Sequence, residues 1–348
     1  MRYIPVADVE KGMELGQNIY DGAGGLLWEK GFFLMDETVW KLQNLGIPGI
    51  YIEDEFSWDL EVPRFIAPEL KQEALRLVHD LFQEERYQEV EQDYIQEVAG
   101  KITRQVLAER GRMYNLIDTR ISEDYTFFHS VNVAVLSVML GAATGNLGLE
   151  ELNTLAVVAL LHDVGKRYVE QDVLNARRGL TEEERLLVVQ HPKLSYDFLQ
   201  EHFDFSPEIC TGVLEHHEWY NGCGYPMRRS GYEISYYARI IKVADVFDAL
   251  TSRLPYHDPI SPSGAVDYIM SNTWAEFDPD LVEIFTKKIA VYPVGCEVAL
   301  SDGRRAVVWE NHPESLLRPI VKVLPEGEVL DLESGREGKE LAILELYM

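Results

Sequence analysis

The chain has 348 residues, 46% of them hydrophobic, which is enough for two or three domains with packed cores. It carries 59 Asp and Glu against 32 Lys and Arg, a formal net charge of −27. Such a surface repels nucleic-acid backbones and anionic membranes, which excludes a nucleic-acid polymer as substrate, whereas a small anion can still bind where metal ions or a few local bases neutralise it.

The first residues, Met1-Arg2-Tyr3-Ile4-Pro5-Val6, have neither the charged nor the apolar region of a signal peptide, and no uninterrupted apolar run reaches transmembrane length. A cytoplasmic location without membrane insertion is expected. Cys210, Cys223 and Cys296 lack C-x-x-C spacing and read as ordinary reduced thiols.

Residues 1–54 read as a small β-rich module. Leu15-Gly16-Gln17-Asn18-Ile19-Tyr20 and Leu26-Leu27-Trp28 are short strand-like segments, split by the hairpin signal Asp21-Gly22-Ala23-Gly24-Gly25. A helix is expected over 36–45, with Asp36 as N-cap and Gly46 as its stop. Residues 55–117 open with a linker containing two prolines, followed by amphipathic helices marked by Leu70, Ala74, Leu77, Val78 and Leu81, then by Tyr94, Val98, Ile102 and Val106. Helices of this kind pack on the next domain or, through residues 68–110, on a second copy to give a homodimer. His79 among them reads as a structural histidine.

Residues 118–291 are helical nearly throughout, with apolar periodicity over 127–140, 150–161, 182–190, 192–200, 207–217, 236–250, 263–270 and 279–289. Thr181, Ser206 and Ser261 suit N-caps, and Pro207 and Pro262 suit first turns. Residues 292–348 switch to a period of two, with strands expected over 297–300, 304–309, 319–324 and 341–346, the pattern of a small β-barrel-like module. The fold class is therefore mainly α, an all-helical domain between small β-rich modules at both termini.

The helical part holds His129, His162-Asp163, His191 before Pro192, the adjacent His216-His217, and Asp245. Imidazole and carboxylate together suit divalent iron or manganese first, and also zinc, and an Asp can bridge two ions. A lone His on a helix is usually a surface or cap residue. Here His162, Asp163 and Asp245 sit at or within strongly apolar runs, where an unpaired carboxylate is very costly and metal ions would satisfy the whole set.

His162-Asp163-Val164-Gly165-Lys166, His191-Pro192 and the run His216-His217-Glu218-Trp219-Tyr220-Asn221-Gly222-Cys223-Gly224-Tyr225-Pro226 resemble the HD-GYP phosphodiesterases, a bacterial signalling subgroup of the HD hydrolase superfamily. The resemblance extends from about Ser122 to Gly295. It implies an HD-type metal-dependent hydrolase that cleaves cyclic di-GMP to pGpG or GMP with a metal-activated hydroxide. By position, His129, His162, Asp163 and Asp245 would hold one metal, and Asp163 would bridge to a second held by His191, His216 and His217. Asp163 and Lys166 would then be the catalytic pair, with Lys166 one helical turn from His162 and directed at a phosphate oxygen. Gly224, Tyr225 and Pro226 would contact substrate, and the same loop would meet partner proteins containing diguanylate cyclase domains.

The sequence departs from that pattern in places. Members with three metals have Glu where this chain has Tyr125, so two metals are expected. After Asp245 the usual phosphate-clamping bases are replaced by Leu254 and His257, leaving Arg253 one position early, with Arg253 and His257 as the candidate substrate contacts. That change keeps two other readings in view: a non-catalytic module that binds a cyclic dinucleotide or a partner protein around structural metals, and a phosphodiesterase for a different cyclic dinucleotide. Glu218 is expected to orient a ligand histidine, and Asn221, where relatives have Asp, to keep the turn.

Overall fold

Arg2–Pro5 (β1) and Glu14–Leu15 (β2) pair antiparallel with the two sides of Gly49–Glu53 (β5), while Ile19–Tyr20 (β3) and Leu26–Trp28 (β4) form the expected hairpin. The computed structural model describes all residues except 22, 116–124, 177, 254–258 and 335. Asp36–Asn44 (α1) closes this module over Ile4, Leu15, Leu42, Ile50 and Ile52. Met35, not Asp36, is its N-cap; Asp36 occupies the first turn, where a carboxylate faces the positive end of the helix dipole. Gly46 follows at φ +68°, the left-handed conformation that ends helices.

Pro68–Phe82 (α2) and Gln92–Ala108 (α3) bury their apolar stripes against Tyr125–Thr144 (α4) and Leu149–Leu161 (α5), in one continuous core. Those stripes are therefore covered within the chain itself. The α3 stripe runs through Ile95, which is fully buried, rather than the adjacent Tyr94, which is 37% exposed. His79 packs its ring edge-on to Phe127 and contacts Asp80, as a structural histidine does.

The remaining helices are Gln171–Leu174 (α6), Glu182–Val188 (α7), His191–His202 (α8), Pro207–Glu215 (α9), Tyr236–Thr251 (α10), Pro262–Ser271 (α11) and Pro279–Thr286 (α12). Thr181 and Ser261 cap α7 and α11 by accepting from Glu184 N and Gly264 N, but the Ser206 side chain makes no cap bond to α9. α4 is long and apolar enough to cross a membrane, yet 72% of its apolar window is buried among other helices, the mark of a helix at the centre of a core.

At the C-terminus Glu297–Leu300 (β6), Arg305–Glu310 (β7), Ile320–Leu324 (β8), Val329–Asp331 (β9) and Ile343–Tyr347 (β10), with Arg336–Glu340 (α13) before the last strand, form an antiparallel sheet in the order β10-β6-β7-β8-β9. The expected barrel does not close. Among the described residues β9 pairs only with β8 and β10 only with β6, so both edges stay open. The two β-rich modules meet: Tyr3 N donates to Gly295 O at 2.8 Å, Arg2 pairs with both Asp54 and Glu297, and Tyr3, Tyr51 and Cys296 share a small core.

Candidate metal centre

Five helices deliver the candidate ligands to one buried point. His129 comes from the first turns of α4, His162 and Asp163 from the end of α5, His191 from the start of α8, His216 and His217 from the end of α9, and Asp245 from α10. His129, His162, Asp163, His191 and His216 are each at most 1% exposed, and Asp245 is 7% exposed.

Three of the histidines are held by one device. His162, His191 and His216 each donate Nδ1–H to the carbonyl three residues earlier, of Ala159, Val188 and Val213, all at 2.7 Å. A carbonyl only accepts, so Nδ1 carries the proton and each Nε2 presents a lone pair to the centre. Burial lowers the pKa of His191 and pushes that of His216 well down, keeping both rings neutral. Their Nε2 atoms nevertheless face each other at 3.1 Å, and His162 Nε2 has no hydrogen-bond partner.

Asp163 lies between two groups of donors. Its Oδ2 is 3.4 Å from His162 Nε2 and 3.7 Å from His129 Nε2, while its Oδ1 is 3.1 Å from His191 Nε2 and 3.9 Å from His216 Nε2. Oδ1 is buried yet accepts no well-directed hydrogen bond. Burial alone would raise the pKa of this carboxyl, but His162 and Lys166 outweigh it and hold it well below the usual range. A carboxylate and several imidazole nitrogens thus converge in a buried space where Asp163 Oδ1 and His162 Nε2 have no hydrogen-bond partner, an arrangement that cations would satisfy. His129, His162 and Asp163 form one group able to hold a metal ion, and His191, His216 and His217 form another.

His129 is positioned differently. Its Nδ1 lies 2.7 Å from Asp248 Oδ2 and its Nε2 3.0 Å from Asp245 Oδ1. Burial opposes charging this ring, but hydrogen bonds and charge from Asp245 and Asp248 prevail and raise its pKa to about 9. Tyr125 stacks on the His129 ring and places its hydroxyl 2.9 Å from Nδ1. A phenol, not a carboxylate, therefore stands beside His129 at position 125. Asp248 had no assigned role in the sequence reading, although its spacing, three residues beyond Asp245, puts both on one helix face.

Lys166 Nζ reaches Asp163 Oδ2 at 2.5 Å, but not along a continued helix. α5 ends at Leu161 and residues 164–168 form a 3-10 turn. Gly165 in this turn lies so close to α8 that a Cβ there would meet His191 O at 2.3 Å and Ser195 N at 2.4 Å. Ser195, which nothing in the sequence singled out, is the clasp. Its buried hydroxyl accepts from Gly165 N at 2.7 Å and donates to His162 O at 2.9 Å.

The loop after His217 folds back on that residue. Tyr225 stacks on the His217 ring at 4.9 Å and its N–H donates to His217 O. A Cβ on Gly224 would meet Trp219 N at 2.2 Å, and Gly222 adopts φ +80°, so both positions require glycine. Pro226 is exposed. Glu218 does not orient a histidine as expected: its buried carboxylate accepts from Met227 N at 2.5 Å and Arg229 N at 3.1 Å, and so fixes the far side of this loop. Asn221 keeps the turn by accepting from Cys223 N. Arg253 is exposed just beyond α10, while Leu254 and His257 lie outside the described residues.

Residues 119–281 match the HD domain family. With that match spanning the histidine and aspartate set and the Gly-Tyr-Pro loop, the assignment is decided. The chain contains an HD domain over residues 119–281, whose motifs are those of the HD-GYP phosphodiesterases. It is 29% identical to the Pseudomonas aeruginosa cyclic di-GMP phosphodiesterase PA4108 over 97% of this chain and 90% of that protein, so the likeness includes the flanking modules. It is 36% identical to the Xanthomonas campestris cyclic di-GMP phosphodiesterase response regulator RpfG, over 42% of this chain and 40% of that protein. A Vibrio cholerae 3'3'-cGAMP-specific phosphodiesterase 1 is also 36% identical, over 43% of this chain and 34% of that protein. The fold resembles that of Bd1817, an HD-GYP-type protein of Bdellovibrio bacteriovorus, with a TM-score of 0.50 at 16% identity, covering 81% of this chain and 97% of that one.

Proposed function

We propose that this HD-GYP protein is a metal-dependent phosphodiesterase that hydrolyses cyclic di-GMP to pGpG or GMP, using two divalent ions, iron or manganese in preference to zinc. The observation that carries this reading is the position of Asp163 between His129 and His162 on one side and His191 and His216 on the other, with His162 Nε2 and Asp163 Oδ1 both buried without a hydrogen-bond partner.

In this reading His129, His162, Asp163 and Asp245 hold one ion, and Asp163, His191, His216 and His217 hold the other. When bound, a pair of ions supplies a water acidic enough to lose its proton near neutral pH and positive charge against the phosphoryl oxygens. The protein does the rest. The backbone carbonyls of Ala159, Val188 and Val213 fix the tautomer of three ligands, Asp248 holds the His129 ring in place, and the surrounding apolar helices exclude bulk water. Lys166, held beside Asp163, adds a cation where charge builds on the leaving oxygen. Tyr225, stacked on His217, offers its outer face and hydroxyl to substrate, beside Gly224 and Pro226, with Arg253 as an outlying base. The exposed part of this loop is also the surface for a partner bearing a diguanylate cyclase domain.

A second reading keeps the chemistry and changes the dinucleotide. It is favoured by Leu254 and His257 standing where phosphate-binding bases are usual, and by the identity to the 3'3'-cGAMP-specific enzyme of Vibrio cholerae. Turnover of cyclic di-GMP, cyclic di-AMP and 3'3'-cGAMP by metal-loaded protein tests both readings. Preferential cleavage of cyclic di-GMP supports the first, preference for 3'3'-cGAMP the second, and binding without any linear product overturns the enzymatic reading.

A further inference from the structure

A cavity of about 340 Å³ opens where the N-terminal module, the linker and the helical domain meet, and none of the candidate metal ligands lines it. Its charge is opposite to that of the chain. In a protein with nearly two acidic residues for every basic one, Lys30, Arg64 and Lys71 line this cavity and no Asp or Glu does among the described residues.

The three cations differ in how they are held. Lys30 pairs with Glu53 at 2.6 Å, and Lys71 lies 5.5 Å from the centre of the Phe128 ring. Arg64, at the rim, makes no ion pair among the described residues; its side-chain hydrogen bond is to Met1 Sδ at 3.8 Å. A guanidinium left in this way is available for the paired hydrogen bonds that a phosphate or carboxylate accepts. Gln17, also on the wall, makes no hydrogen bond among the described residues and adds a neutral donor and acceptor.

The rest of the wall is aromatic, aliphatic and amide. Tyr20, Phe65 and Tyr114 give flat apolar faces, and Asn115 and Asn132 give polar edges. Such a mixture, apolar walls with a few convergent polar groups, is what small-molecule sites present, and the volume falls at the lower end of their range of about 300–1,000 Å³. It suits a mononucleotide better than a dinucleotide. Asn132 also donates to Asp248 Oδ1 at 2.9 Å, and Asp248 Oδ2 lies 2.7 Å from His129 Nδ1, so an occupant would sit two hydrogen bonds away from the metal centre.

We propose that this cavity is a second ligand site, separate from the metal centre, for a mononucleotide-sized organic anion carrying a flat ring. Calorimetric titration of the full chain with GMP and AMP, and with guanosine and inorganic phosphate as half-ligands, tests it. To separate this site from the metal centre, the titration is repeated on Asp163→Ala and on Arg64→Glu, with Arg64→Gln as a milder second variant and thermal melts to verify folding. GMP or AMP is expected to bind Asp163→Ala as well as it binds the native chain, to bind the Arg64 variants at least about tenfold more weakly, and to exceed either half-ligand. The proposal is overturned if neither nucleotide binds, if folded Arg64 variants bind as well as the native chain, or if Asp163→Ala abolishes binding, which would place the nucleotide at the metal centre.

Discussion

His191 Nε2 and His216 Nε2 face each other at 3.1 Å while the Nδ1 of each ring is committed to a carbonyl of its own helical turn. Two neutral imidazoles cannot hydrogen-bond through a pair of lone pairs, so the arrangement is stable only with a cation between or beside them. Removal of metal with a chelator should therefore lower the melting temperature, and readdition of Mn²⁺ or Fe²⁺ should restore it in a concentration-dependent way. An identical melt with and without chelator would show that no ion contributes to this cluster.

Ser195 is expected to matter as much as a ligand. In Ser195→Ala the buried Gly165 N–H and His162 carbonyl both lose their partner, costing about 1–3 kcal/mol of stability. Metal affinity should fall about 10–100-fold, the usual effect of removing a group that orients ligands. Calorimetric metal titration checks this, and an unchanged affinity would reduce Ser195 to a packing residue.

Gly165→Ala should be more damaging than its size suggests. The added methyl would collide with the backbone of His191 and Ser195 and push α8 away from the end of α5. A loss of about 1–3 kcal/mol is expected from overpacking, together with reduced metal content. Thermal melts and elemental analysis report both, and native values would mean that the turn can shift freely.

Glu218→Ala should separate loop from metal. It removes the acceptor for Met227 N and Arg229 N, loosening the loop that carries Tyr225 by about 1–3 kcal/mol, while the lost carboxylate bonds to that loop and not to a candidate ligand. Metal content should stay native while kcat/KM for the dinucleotide falls; loss of metal instead would assign Glu218 to the ion site.

Much of this was legible in the sequence, and the exceptions have physical causes. Helical periodicity located the central helices because their apolar residues face one core, and the ligand set stood out because carboxylates and imidazoles interrupt apolar runs. Where the sequence reading failed, the deciding contact came from elsewhere in the chain. α5 gives way to a 3-10 turn before Lys166, and α8 leaves room only for a glycine at position 165 of that turn, Ser195 is a clasp only because two distant segments meet at it, and Glu218 faces the loop rather than a histidine. The C-terminal strands were visible by their alternation, but alternation does not say whether the edges close, and here they do not. Asp36 shows the smaller version of the same limit: Asp suits both the N-cap and the first turn, and only the backbone at Met35 decides between them.

The central claim, that Asp163 joins two metal ions in a hydrolytic centre, is tested most directly by elemental analysis and cyclic di-GMP turnover on the same preparations of native protein and Asp163→Ala. The account predicts about two divalent ions per native chain with formation of pGpG or GMP, and loss of both metal and turnover in the folded variant, while His79→Ala stays native in each respect. Metal retained at native stoichiometry in Asp163→Ala, or undiminished turnover, would contradict it.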